Sequence, residues 1–101
     1  MKENFKATLK VNKITVEMNP FIEQFLARTS VGAVSSLRGT EGIKSLEIHQ
    51  DKGNVKINAD GKEIPLTAFP NEIFSSTLAG LVSPLKGIDD VDSIDISVMV
   101  K

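Results

Sequence analysis

The sequence predicts an α+β domain: an antiparallel sheet with two helices on one face, built from two ββαβ repeats related by a pseudo-two-fold axis. Three observations lead there. Residues 21–50 and 69–98 align without gaps at an offset of 48. In each copy, short segments of apolar–polar alternation flank one longer apolar segment. Helix start and stop signals bracket those longer segments.

The repeat is the strongest of the three. About nine of the thirty aligned positions are identical, where chance gives about two. Phe21/Phe69, Thr29/Thr77, Gly32/Gly80, Val34/Val82 and Ile48/Ile96 are among the identical pairs. Upstream, Leu9-Lys10-Val11-Asn12 matches Val55-Lys56-Ile57-Asn58, which implies a two-residue insertion near Asp60-Gly61 in the second copy. The 101 residues therefore form a single domain of two repeats, about 5–50 and 53–100.

Each unit opens on strand-like alternation. Phe5, Ala7, Leu9 and Val11 alternate with polar residues, and the parity flips at Asn12-Lys13 before Ile14, Val16 and Met18 continue. A parity flip needs a tight turn or a bulge. In the second copy Asp60-Gly61 favours a type I′ hairpin turn. If each hairpin is instead one long bulged strand, the order becomes the ferredoxin-like βαββαβ.

The helices follow. Asn19 is a capping residue and Pro20 suits the first helical position. Thr67 is the matching cap in the second copy, with Pro70 still in the first turn. Phe21, Phe25, Thr29, Gly32 and Leu37 share one broad face, as do Phe69, Ile73, Thr77, Gly80 and Leu85. These faces are expected to meet the core. Gly39 and Gly87, each after a cation, read as helix stops. The closing strands alternate again: Leu46 and Ile48 inward with Glu47 and His49 outward, then Ile94, Ile96, Val98 and Val100 inward with Asp95, Ser97 and Met99 outward.

Composition bounds the function. A hydrophobic content of 41% and a charged content of 25% are those of a folded domain. With no cysteine, disulfides and thiolate chemistry are excluded. No apolar leader or membrane-length run is present, so the chain is expected to be cytoplasmic, with no membrane partner. Twelve basic and thirteen acidic residues are dispersed, and the only aromatics are five phenylalanines. Nucleic-acid binding is not expected from that pattern.

No constellation points to catalysis. His49 is the only histidine, its parity places it on the polar sheet face, and its repeat counterpart is Ser97. It reads as an ordinary exposed histidine rather than a general base. Asp89-Asp90-Val91-Asp92 lacks the spacing of a calcium loop. Ser83-Pro84-Leu85-Lys86 has the S-x-x-K spacing without companion motifs, and the first copy carries Arg38 where a base would be needed. Asp60-Gly61-Lys62 is too short for a phosphate loop. No catalytic residue, metal or cofactor is expected.

What remains is an interaction module. Ile22 and Leu26 in the first helix, with Phe74 and Leu78 in the second, exceed one core stripe and mark a candidate surface for self-association. Gly32 and Gly80 sit mid-helix at a cost of about 1 kcal/mol each relative to alanine, which close packing against a neighbouring element would explain. The expected function is a small, non-enzymatic, homo-oligomeric interaction module, with a small-molecule-binding or regulatory domain as the alternative.

Overall fold

A computed structural model describes residues 4–38, 42–66, 68–83 and 91–100. The element order is β1 (Phe5–Val11), β2 (Ile14–Val16), α1 (Pro20–Arg38), β3 (Ser45–Asp51), β4 (Asn54–Ala59), β5 (Lys62–Ile64), α2 (Ala68–Val82) and β6 (Ser93–Val100). The fold is α+β, with a six-stranded antiparallel sheet in the order β2-β1-β6-β3-β4-β5. The long strands β6 and β3 lie at its centre, and the three-residue strands β2 and β5 form its edges.

Both parity flips are hairpins. Val11 pairs with Ile14 and Ala59 with Lys62, so each turn holds two residues. Asn12 and Lys13 have φ of 52° and 68°, and Asp60 and Gly61 have 52° and 84°. Positive φ at both central positions is the type I′ signature, whose twist matches that of the flanking strands. The ferredoxin-like alternative, which needs one continuous strand there, is not what forms. The expected insertion near Asp60-Gly61 is not there either. Asn12 and Asp60, 48 residues apart, both take the first turn position. The similarity of Leu-Lys-Val-Asn to Val-Lys-Ile-Asn misplaced the register by two, a slip that strand periodicity of two makes easy.

The turns are anchored by side chains. Asn12 Oδ1 accepts from the backbone N–H of Asp92 and Ser93, at 2.7 and 3.0 Å. Asp60 Oδ1 accepts from those of Lys44 and Ser45, both at 2.9 Å. The backbone N–H groups of Asn12 and Asp60 donate to Ser93 and Ser45 carbonyls.

The registers put every inward-facing strand residue on one face. Ile96 pairs with Leu9 and Ile48, and Ile48 pairs with Ile57, so the row Leu9, Ile96, Ile48, Ile57 crosses the sheet. Leu9, Leu46, Ile48, Ile57, Ile94 and Val98 are almost wholly buried there, joined by Val34 from α1 and Val82 from α2. Both helices contribute to this one core.

Asn19 caps α1 as expected, its Oδ1 accepting from Ile22 N–H at 2.8 Å. The helices also close the sheet edges where β2 and β5 stop short. Glu23 Oε2 accepts from Ala7 N–H at 2.8 Å, and Gln24 bonds both the N–H and the carbonyl of Phe5. Asn71 does the same for β4, accepting from Val55 N–H and donating to the Gly53 carbonyl, each at 2.8 Å. Unpaired edge groups invite pairing with another chain, and these side chains occupy them.

The faces of the helices differ from the expectation. Leu26, Ala27, Ser30 and Val34 of α1 are buried, as are Phe74, Leu78 and Val82 of α2. Phe21, Phe25 and Ile73, assigned to the core stripe, are instead exposed. Both helices carry apolar residues on opposed sides, so periodicity alone defined two candidate stripes. The edge bonds favour the observed one, because Glu23 and Asn71 reach their strands only from the buried side. Thr67, Gly39, Gly87, the segment 84–90 and the side chains of Leu37 and Phe69 lie outside the described residues.

Candidate functional site

One face of the sheet carries the helices, and the other is open. Alternation sends Thr8 and Lys10 of β1, Asp95 and Ser97 of β6, Glu47 and His49 of β3, and Lys56 and Asn58 of β4 to the open side. The registers arrange them in two rows. Lys10 pairs with Asp95, Asp95 with His49, and His49 with Lys56. Thr8 pairs with Ser97, Ser97 with Glu47, and Glu47 with Asn58. These eight residues and Lys13 line an open concavity of about 550 Å³, floored by the backbones of Ile48 and Ile96. That volume is within the usual range for small-molecule sites.

His49 is at its centre. Its Nδ1 contacts Asp95 Oδ1 across the β3–β6 ladder. The side chains are 46% and 36% exposed, so both reach solvent from the floor of the concavity. A carboxylate on Nδ1 holds that nitrogen as the donor and leaves Nε2 as the acceptor of the neutral ring. The sequence reading found His49 on the polar face, as observed, and missed its partner. Asp95 is 46 residues away, and only the β3–β6 register, which pairs the two, reveals it. Among the described residues, no group of three or more His, Asp or Glu gathers as a metal site.

The second feature is on the helices. Phe21 is 75% exposed, Phe25 52% and Ile73 48%. The Phe21 and Phe25 rings are stacked, 6.1 Å between centroids with planes inclined by 20°. A shallow groove of about 190 Å³ runs beside them past Gln24, Arg28 and Thr29. The interaction surface expected from sequence is not the one presented. Leu26, Phe74 and Leu78 are core residues, and Ile22 is only half-exposed.

No family model matches the chain, and neither does any curated protein or solved structure.

Gly32 and Gly80 also depart from the expectation. Among the described residues, nothing lies within 4 Å of where a Cβ would sit on either. Both are exposed, so packing among the described residues does not account for them. They lie on the side of the helices that carries Phe21, Phe25 and Ile73, away from the sheet. Among the described residues no helix is long and apolar enough to cross a membrane.

Proposed function

We propose that the chain is a non-enzymatic interaction module that pairs with a second copy of itself through the outer faces of its helices. The exposed Phe21 and Phe25 of α1, with the exposed Ile73 of α2, carry this reading. Large apolar side chains gathered on one face are unfavourable in water, and such patches mark contacts. The outer face of α1 has two kinds of relief. Phe21 and Phe25 form a ridge, and Gly32 leaves a gap about 10 Å further along α1, from a rise of about 1.5 Å per residue. In an isologous pair, the ridge of one α1 lies over the gap of the other, and each contact occurs twice. A glycine that costs helix stability in the monomer then serves the close approach of two helices. The slab measures 34 × 33 × 18 Å, so its broad helix-bearing face exceeds the roughly 800 Å² per partner of a standard interface.

A duplicated architecture supports the same reading. We take the two halves as ββαβ copies related by a pseudo-two-fold axis between Ile48 and Ile96. Shifting by 48 residues turns the pair Leu46–Val98 into Ile94–Gln50, another rung of the same ladder. The Asn12 bonds become those of Asp60, and the Glu23–Ala7 bond becomes Asn71–Val55. The α1 pattern then exists twice, with Ile73, Thr77 and Gly80 repeating Phe25, Thr29 and Gly32.

Sedimentation equilibrium across the micromolar range tests the pairing. The parent chain is expected as a dimer, and Phe25→Glu as a folded monomer. A monomeric parent at about 100 μM, or a Phe25→Glu variant that still pairs at about 10 μM, refutes this interface.

A further inference from the structure

The open sheet face has no role in that pairing, and its chemistry points elsewhere. Three lysines, Lys10, Lys13 and Lys56, line the concavity with two carboxylates, Glu47 and Asp95. The lining is therefore net positive by one charge with neutral His49, and by two with the imidazolium. This is unlike the chain as a whole, whose net charge is −1.

The positions within the row matter more than the total. Asp95 and Lys56 flank His49 on opposite sides, from β6 and β3's other neighbour β4. Asp95 engages Nδ1, which orients the ring and leaves Nε2 as the nitrogen it does not hold. Lys56 is one strand spacing away, about 4.8 Å, and Asn58 follows it on the same face of β4. A fixed imidazole edge, an ammonium and a carboxamide thus share one side of the concavity. Lys10 faces Asp95 from β1, so the carboxylate has a cation on its far side.

We propose that this face binds a small molecule through a phosphate or carboxylate group, received between Lys56 and the Nε2 edge of His49, with Asn58 as a neutral donor. The concavity has room for the uncharged remainder, and Thr8 and Ser97 offer it hydroxyls. Asp95 acts as a positioning residue, holding the ring through Nδ1 so that the Nε2–H of the imidazolium is the donor turned toward the anion. The other charged groups facing His49 are Lys56 on β4, Lys10 on β1, and Glu47 and Asp51 on its own strand.

Heteronuclear NMR on the full chain tests this directly. Inorganic phosphate and citrate are titrated separately to about 10 mM at constant ionic strength, with sodium chloride as the control. The expected result is a saturable shift of the His49 ring and of the Lys56 and Asn58 amides with at least one of the two anions. Which one saturates identifies the group recognised. Lys56→Gln is expected to lose about tenfold or more, as for removal of one charge-assisted bond. Asp95→Asn, which keeps a hydrogen-bonding side chain, is expected to bind weakly while its amide spectrum stays folded. No saturable shift with either anion overturns the proposal. So does an equal response to chloride, or unchanged binding by a folded Lys56→Gln variant. None of these outcomes bears on the helix-face pairing, which does not use this surface.

Discussion

Asn12 and Asp60 do the same work with different chemistry. Each begins a type I′ turn, and each accepts two backbone N–H bonds from the segment entering a central strand. Only Asp60 titrates. The Ser45 N–H bond, then the Lys44 N–H bond, holds its carboxyl below the ordinary value of 3.8. A depressed folded-state value means that the folded chain resists protonation more than the unfolded one. The contribution is complete above the ordinary carboxylate range and is lost as pH falls through the folded-state value. Asp60→Asn keeps an acceptor, as Asn12 shows, and removes the titration. Urea denaturation at neutral pH and near pH 3 is expected to show a smaller acid loss of stability for Asp60→Asn than for the parent. Equal losses would mean that these bonds do not couple to protonation. At this scale the sequence was partly legible. Asp-Gly announced its turn and Asn19 its cap, because both act within a few residues of themselves. The His49–Asp95 contact was not, because it forms across a ladder between distant strands.

The helices carry the main revision at the level of elements. Periodicity located both of them and their apolar sides, and could not choose between two stripes. The choice lies in tertiary bonds that periodicity does not see: Glu23 to Ala7, Gln24 to Phe5, and Asn71 to the start of β4. Leu26→Ala should cost about 2–5 kcal/mol, since it empties a core position, and Phe25→Ala should shift the dissociated protomer by no more than about 0.5 kcal/mol. The reverse ranking, by chemical denaturation at low protein concentration, would restore the face expected from sequence. Gly32 sharpens the test. With open space where its Cβ would be, Gly32→Ala should stabilise the protomer by about 0.5–1 kcal/mol. The same change should weaken self-association if a partner helix approaches there. A protomer destabilised by alanine would return Gly32 to an intramolecular packing role.

Across the whole molecule, strand order interleaves the two halves of the sequence. β6, the last strand, lies between β1 and β3 of the first half, and β3 lies between β6 and β4. The alternating patterns and the repeat made the α+β class legible. The order of the strands was not, because alternation defines a strand's face and says nothing of its neighbours. That order has a consequence for folding. A chain ending after β3 has no β6, so β1 and β3 each lose a long neighbour and much of the apolar row loses its cover. A fragment of about 50 residues already buries too little surface to be comfortably stable alone. Residues 1–51 are therefore expected to be unstructured at low concentration, and to fold when mixed with residues 52–101. The proposed duplication adds a sharper expectation. If β3 and β6 are equivalent, β3 of one fragment can take the place of β6 in another, pairing Ile48 with its own copy about a true two-fold axis. Concentrating residues 1–51 alone should then yield a folded homodimer, weaker than the mixed pair because His49 would meet Glu47 where the full chain provides Asp95. Circular dichroism against concentration decides between the two. Folding on mixing, with none by the single fragment at any concentration, would leave the interleaved strand order standing and remove the support for duplication. Independent folding of a monomeric 1–51 would contradict the central place of β6.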